Sequence, residues 1–236
     1  MTQDPAPSTS WRKIRSFVLR PGRLTSAQQA ALDVLLPKYA FCPDAWPKAS
    51  RVVLEIGFGN GQALAEMARL EPDAHLIGVE VHPPGVGRLL NTLEREGIAN
   101  VSVAMTDAVE LLERDLPTHQ LDEVRIYFPD PWPKKKHHKR RLIQTEFMNL
   151  LSQTLRVGGR LHLATDWMPY AEWMEEVIEP DPRFRRVLEA THQRPSTHFQ
   201  RRGERRGHPV VDLIYEHQLG SETPESSTQM SGGAIA

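Results

Sequence analysis

The chain has 236 residues, of which 39% are hydrophobic and 25% charged, as is ordinary for a globular protein with one large domain. No apolar run is long enough to cross a bilayer as a helix, and the N-terminal MTQDPAPSTS lacks the apolar core of a signal peptide. A single cysteine, Cys42, excludes an internal disulfide and a multi-cysteine zinc site. We therefore expect a cytoplasmic protein with no membrane segment.

The net charge of −1 hides an uneven distribution of charge along the chain. The segments 12–23, 134–141 and 194–208 hold 16 of the 29 Lys and Arg residues but only one of the 30 Asp and Glu residues. Each segment alone could be a solvated surface. Together, three nearly acid-free segments predict one positive face that binds a polyanion.

The two ends of the chain are rich in Ser, Thr, Pro and Gly and poor in large apolar residues. This composition predicts a flexible basic arm at residues 1–22 and a disordered tail at residues 220–236. Residues 23–219 between them form a single predicted domain.

Strand-like and helix-like segments alternate through this domain. Thr25 and Gln28 match a helix capping box, and the helical pattern after them stops before Pro37. Helices are also predicted at 62–69 and 86–96, and the predicted strands are 51–57, 75–81, 101–105, 121–128, 160–165 and 210–215. This order predicts an α/β fold with a mostly parallel sheet and helices on both faces.

The first strand runs into a glycine turn, EIGFGNG, at residues 55–61. Sheets of this kind bind ligands at the carboxyl ends of their strands, and Gly57 and Gly59 allow the backbone to approach a ligand closely. Gln62 stands where the dinucleotide fingerprint requires Gly or Ala, so a nicotinamide cofactor fits less well. Glu55, just before the turn, favours a cationic ligand instead.

Acidic residues also stand at the ends of the next two predicted strands, with Glu80 at the end of the second and Asp107 just after the third. Glu80 can accept both ribose hydroxyls of a nucleoside, and Asp107 can accept a hydrogen bond from an adenine amino group. Either acid could instead cap a helix or remain solvated. Together with the glycine turn they favour S-adenosylmethionine, a cation that carries an adenosine and no phosphate.

Asp130 follows the fourth predicted strand. Pro129 and Pro131 restrict the backbone on both sides of it, so its carboxylate is pre-positioned, although the segment could be only a rigid turn. Trp132 offers a flat face for a base, and the basic segment 134–141 can hold phosphates nearby. The predicted substrate is therefore a nucleic acid.

The histidines do not suggest a metal site. His137 and His138 lie among lysines, whose charge opposes a divalent cation, and the chain has no H-x-x-x-H or H-E-x-x-H spacing in a helix. We expect no metal.

Between about Arg15 and His217 the sequence resembles the bacterial tRNA (guanine-N7)-methyltransferases. The motifs that carry the likeness are RSFVLR (15–20), LEIGFGNG (54–61), GVEVH (78–82), FPDPW (128–132), KRR (139–141), ATDW (164–167) and THFQ (197–200). The resemblance implies a Rossmann-like class I methyltransferase with a seven-stranded sheet. It implies methyl transfer from S-adenosylmethionine to N7 of a guanine in the tRNA variable loop, at nucleotide 46. It leaves monomer and homodimer open.

The resemblance also assigns roles to residues. It implies cofactor contacts for Glu55, Glu80, Asp107 and Asp130, with Asp130 also catalytic, and the glycines of the turn complete the predicted cofactor site. It implies substrate contacts for Lys134, Asp166, Thr197, His198, Phe199 and Gln200, to which the basic segment adds Lys136, Lys139, Arg140 and Arg141. His198 and Gln200 stand where the family usually has a basic and an acidic residue, which leaves that contact open.

Two other functions fit less well. An RNA-binding protein could retain the fold without catalysis, but it would have little need for acids at four successive strand ends. An NAD-dependent oxidoreductase is weaker still because of the glycine spacing.

Overall fold

A computed structural model describes residues 14–18, 22–188 and 209–219 of the protein. The predicted tail 220–236 and the whole basic segment 194–208, which includes the THFQ motif, lie outside these residues, as does the greater part of the predicted arm. The strands are β1 Arg51–Ile56, β2 Ala74–Val79, β3 Val101–Ala104, β4 Leu121–Tyr127, β5 Leu155–Thr165, β6 Phe184–Arg186 and β7 Val211–His217. The helices are α1 Ser26–Val34, α2 Leu36–Tyr39, α3 Gln62–Leu70, α4 Pro83–Glu96, α5 Ala108–Arg114, α6 Thr145–Thr154 and α7 Met168–Ile178, with a 3₁₀ helix at Lys135–Arg140.

The seven strands form one sheet in the order β3-β2-β1-β4-β5-β7-β6. Strands β1 to β5 run parallel, and β7 is antiparallel to both β5 and β6. The predicted mostly parallel sheet is therefore confirmed. The strand order reverses between β1 and β4, and this reversal opens a crevice at the carboxyl edge.

Helices cover both faces of the sheet because neighbouring residues of a strand point to opposite sides. Leu54 and Ile56 pack with residues of α5, α6 and α7, whereas Val53 packs with residues of α1, α3 and α4. The sheet lies between these two apolar layers. Polar loops can therefore lie at the two ends of the strands. No helix in the described part of the chain is long and apolar enough to cross a membrane.

Local signals in the sequence were mostly correct. The capping box is confirmed, since the Thr25 hydroxyl accepts from the Gln28 amide at 3.2 Å and the Gln28 side chain accepts from the Thr25 amide at 2.9 Å. The helix that follows this box, α1, ends at Val34 and therefore stops before Pro37 as predicted, but a separate short helix, α2, begins at Leu36. Pro37 lies in the first turn of α2, where no amide donor is needed.

Candidate active site

A cleft of about 250 Å³ opens at the carboxyl edge of the sheet, beside the reversal of strand order. Its apolar walls include Phe58, Val79 and Ile126. All the residues predicted to contact the cofactor line this one cleft: Glu55, Gly57, Gly59, Glu80, Asp107 and Asp130. The structure therefore brings together side chains from four strand ends that are up to 75 positions apart in the sequence.

The glycine turn after β1 requires glycine for conformational reasons. Gly57, Gly59 and Gly61 have φ values of 75°, 60° and 73°, a region that other residues rarely adopt. A Cβ atom at Gly85, in the first turn of α4, would lie 2.0 Å from the Gly59 carbonyl oxygen. The turn and the start of α4 therefore pack backbone to backbone, which fixes this wall of the cleft.

Glu80, the residue after β2, already binds the glycine turn. Its carboxylate accepts hydrogen bonds from the amides of Gly59 at 2.8 Å, Val81 at 2.8 Å and His82 at 3.0 Å. A carboxylate can accept about four hydrogen bonds, so one further acceptor position remains for a ligand hydroxyl. Glu80 thus shapes the cleft as well as lining it.

Asp107 is the N-cap of α5, and its Oδ1 atom accepts from the Val109 amide at 2.9 Å. The alternative role of Asp107 that the sequence left open, capping a helix, is therefore confirmed. It uses one carboxylate oxygen, and within the described residues Oδ2 accepts no hydrogen bond. Capping and ligand binding are compatible at this position.

Glu55 is a buried acid whose charge is only partly compensated. It is 3% exposed and lies directly opposite Arg125 on β4. Arg125, however, donates to Glu123 at 2.8 Å and to Glu71 at 2.7 Å. Within the described residues, the buried Oε2 atom of Glu55 has no hydrogen-bond partner.

Burial raises the pKa of Glu55 to about 7, since desolvation disfavours the charged form. The positive charge of Arg125 acts in the opposite direction, while the nearby carboxylates of Glu123 and Glu80 raise the pKa further. A cationic ligand in the cleft would relieve both the unmet hydrogen bond and the excess negative charge. The methionine ammonium of S-adenosylmethionine fits this requirement.

The loop that carries Asp130 is strained. Phe128 has φ 52° and Trp132 has φ 45°, and such values in bulky residues cost about 1–3 kcal/mol each. The Phe128 amide donates to the Ala164 carbonyl at 2.7 Å, and the Trp132 indole donates to the Ser16 carbonyl at 2.9 Å. The exposed Asp130 side chain therefore stands on a backbone that is fixed on both sides.

Trp132 is less accessible to a base than its sequence suggests. The Arg140 guanidinium lies 4.8 Å from the centre of its ring, and His137 contacts the ring edge to face at 5.7 Å. Arg140 therefore covers one face of the indole, and a base could reach only the other face.

The basic segment after Trp132 folds into the 3₁₀ helix. Lys134, Lys136 and Lys139 are exposed, as phosphate contacts require, and Arg140 is half-buried on Trp132. Arg141 is only 2% exposed, and its Nε atom donates to the Pro131 carbonyl at 3.0 Å. The structure does not favour the predicted substrate contact of Arg141, because its guanidinium is turned into the protein.

The remaining predicted substrate residues divide into two groups. Asp166 directly follows β5 and is half-buried at the same edge of the sheet as the cleft. Thr197, His198, Phe199 and Gln200 lie outside the described residues. Within the described residues, no group of three or more His, Cys, Asp or Glu side chains is arranged to hold a metal ion.

Sequence reasoning missed two residues of the cleft wall. Ser16 and Phe17 line the cleft, although this part of the chain was predicted as an arm. They belong to the RSFVLR motif, whose mixture of apolar and basic residues could have indicated packing against the domain. Their position places the end of the predicted arm beside the Asp130 loop.

Comparisons with known proteins concern the family and the fold of the chain. The model of a family described as "Putative methyltransferase" matches residues 43–213. The tRNA (guanine-N(7)-)-methyltransferase of Xanthomonas axonopodis pv. citri is 48% identical over 233 residues, which cover 93% of this chain and 89% of that protein. The enzyme of the same name from Halorhodospira halophila is 49% identical over 219 residues, covering 86% and 95% of the two chains.

A solved structure shows the same fold. A single-site mutant of the 16S rRNA (adenine(1408)-N(1))-methyltransferase from Catenulisporales acidiphilia superposes with a TM-score of 0.52 at 14% identity. The match covers 77% of this chain and 94% of that one.

The raised pKa of Glu55 predicts a pH dependence of cofactor binding. Below about pH 7 the carboxyl is protonated in the free protein, and an ammonium ligand must displace that proton. The affinity for S-adenosylmethionine should therefore fall as the pH is lowered from about 7.5 to 5.5, by up to about tenfold per pH unit. Titration calorimetry in two buffers of different ionisation enthalpy should detect release of the proton on binding at the lower pH.

Glu55→Gln is the matched control, since it keeps the shape of the side chain and cannot titrate. This variant should bind the cofactor more weakly, with most of the pH dependence removed. An equal pH dependence in the variant and the natural protein would show that another group titrates.

Proposed function

The chain belongs to the tRNA (guanine-N(7)-)-methyltransferase family, and we propose that it methylates N7 of a guanine in tRNA with S-adenosylmethionine as methyl donor. We extend the proposal to the variable loop, at nucleotide 46, and to action in the cytoplasm, with residues 23–219 as the catalytic domain. The observation that carries the proposal is the single cleft lined by Glu55, Glu80, Asp107 and Asp130.

Each acid has a distinct place against the cofactor in this proposal. Glu55 accepts from the ammonium, Glu80 uses its remaining acceptor position for a ribose hydroxyl, and Asp107 accepts from the adenine amino group. When bound, S-adenosylmethionine supplies a methyl group on a sulfonium, which is a strong electrophile.

Guanine N7 constrains the role of Asp130. This atom has an in-plane lone pair and no proton, so methylation requires no general base. Positive charge develops on the purine as the methyl group is transferred, and a carboxylate can stabilise that charge. Asp130 can also accept from the guanine N1–H or amino group and hold N7 in line with the methyl group. We therefore assign Asp130 an electrostatic and orienting role.

The surface beside Asp130 supports a tRNA substrate. Lys134, Lys136 and Lys139 are exposed on and just before the 3₁₀ helix that follows the Asp130 loop. Cations in this place can bind phosphates on either side of a guanine that enters the cleft. Phosphate contacts position the RNA, while the contacts of Asp130 with the base select guanine.

Labelled S-adenosylmethionine and unmodified tRNA provide the direct test. The label should appear in N7-methylguanosine after nucleoside digestion and mass spectrometry. A matched tRNA with 7-deazaguanosine at nucleotide 46, which lacks the nitrogen, should remain unlabelled. Label at another purine position, or only in DNA or protein, would contradict the proposal.

Asp130→Ala should reduce the single-turnover rate of methyl transfer by about 100-fold or more, the scale for loss of one pre-organised electrostatic group. The affinity for S-adenosylmethionine, measured by equilibrium dialysis, should change far less. Asp130→Asn keeps a hydrogen-bond acceptor without the charge, so its rate should lie between those of the natural protein and Asp130→Ala. A rate near that of the natural protein in Asp130→Ala would rule out the assigned role.

Replacing Lys134, Lys136 and Lys139 together by Ala should weaken tRNA binding and its salt dependence. Each phosphate contact contributes about 0.7–0.9 to the slope of log K against log salt, so the slope should become shallower by up to about three contacts. Filter binding at several salt concentrations measures this slope. Cofactor affinity should stay constant, and an unchanged tRNA slope would mean that these lysines form only a solvated surface.

A further inference from the structure

The most unusual cation in the structure is Arg141, which ends the basic segment. Its guanidinium lies 5.0 Å from the ring centre of Tyr170 and 5.1 Å from that of Trp173. Its Nε atom donates to the Pro131 carbonyl at 3.0 Å, and a terminal nitrogen contacts His138 Nε2 at 3.2 Å. Because a guanidinium can only donate, His138 Nε2 is the acceptor in this contact.

Burial of this cation is costly. Arg141 makes no ion pair with a carboxylate among the described residues, whereas Arg125, the other deeply buried arginine, pairs with Glu123 and Glu71. Desolvation lowers the pKa of Arg141 below its usual value. Two aromatic rings compensate part of this cost through cation–π attraction. An apolar side chain would fill the same space without the penalty, so the guanidinium has a use beyond packing.

The loop beside Arg141 needs a donor that it cannot provide itself. Pro129 and Pro131 have no amide hydrogen, and the loop is strained at Phe128 and Trp132. The carbonyl that Arg141 binds belongs to the residue directly after Asp130. A hydrogen bond at this point resists rotation of the peptide that follows the carboxylate.

The other side of Arg141 is anchored in the core. Tyr170 is fully buried in α7, and the Trp173 indole, also in α7, donates to the Ile143 carbonyl at 2.8 Å. The Arg141 guanidinium therefore contacts two rings of α7 on one side and donates to the Asp130 loop on the other. A lysine cannot match this arrangement, since its ammonium is a point charge without a planar face.

We propose that Arg141 is a positioning residue, which fixes the Asp130 carboxylate through the Pro131 carbonyl and does not bind tRNA phosphate. The proposal rests on the proposed function, because it assigns Arg141 a part in the same methyl transfer. It separates Arg141 from the lysines before it, although all belong to one basic run of the sequence. In this role Arg141 acts on the rate of the chemical step and not on the binding of either substrate.

Arg141→Met tests the proposal because methionine keeps the length and apolar contact of the side chain but has no donor. We expect the single-turnover rate with saturating tRNA and S-adenosylmethionine to fall by about 10- to 100-fold, the scale for misplacing a reacting group by about 1 Å. The dissociation constant for tRNA and the slope of its salt dependence should stay the same. A weaker tRNA affinity with a slope shallower by about one contact would identify a phosphate contact and overturn the proposal.

A double-mutant cycle with Asp130→Ala separates positioning from general damage to the site. If Arg141 acts through Asp130, its replacement in the Asp130→Ala protein should lower the rate by less than about threefold. An equal loss in both backgrounds, or no loss in either, would overturn the proposal. If Arg141→Met does not fold, Arg141→Lys enters the same cycle with the same criteria.

Arg186→Met is the matched control for loss of a stacked arginine. Arg186 lies 5.2 Å from the ring centre of Tyr215 and donates to Glu175 at 2.9 Å, and none of these partners belongs to the Asp130 loop. This variant should lower the melting temperature without the loss of rate. If the natural protein methylates no guanine N7 in tRNA, the proposed function fails. If it does and Arg141→Met behaves like Arg186→Met, only the inference about Arg141 fails.

Discussion

Parallel pairing of β1 with β2 on one side and β4 on the other is the constraint on which the site depends. Parallel strands end at the same edge, so residues far apart in the chain meet there without any direct attraction between them. In this register Glu55 lies opposite both Gly78 and Arg125. Glycine is favoured at position 78, since a Cβ atom would lie 2.5 Å from the Leu64 side chain and 2.8 Å from the Phe58 ring and would force one of them to move. The sheet thus positions the glycine turn and the buried acid together.

The same register explains why Glu55 can remain available for a ligand. Arg125 is its cross-strand neighbour, but the Nε and Nη2 atoms of Arg125 donate to Glu123 and Glu71, and its Nη1 atom has no hydrogen-bond partner among the described residues. Arg51 reinforces this arrangement by pairing with the same two acids. Glu123 keeps a pKa below its usual value through the charges of Arg125 and Arg51, despite its burial. The Oε2 atom of Glu55 has no hydrogen-bond partner among the described residues, and the pKa of Glu55 is raised to about 7. Both properties suit an acid that binds a cation.

The sequence predicted the features that depend on local pattern. Strands rich in Val, Ile and Leu, the glycine turn and the Thr25 cap each have a physical cause within a few residues. β6 was missed because Phe184–Arg186 is too short to show a pattern. The burial of Arg141 was not predicted because Lys139, Arg140 and Arg141 look alike in sequence. The inward side chain is distinguished by contacts that include two aromatic residues of α7, about 30 positions further on.

The Asp130 loop shows how an exposed carboxylate can be rigid. Its two prolines limit the backbone but have no amide hydrogen to donate. Three other parts of the chain bind the loop: the Ala164 carbonyl of β5 accepts from the Phe128 amide, the Ser16 carbonyl accepts from the Trp132 indole, and the Arg141 guanidinium donates to the Pro131 carbonyl. These contacts come from three separate parts of the chain, so the backbone that carries the carboxylate is held at Phe128, Pro131 and Trp132. Its orientation is therefore a property of the whole carboxyl edge, and the segment that contains Ser16 takes part in it from outside the sheet.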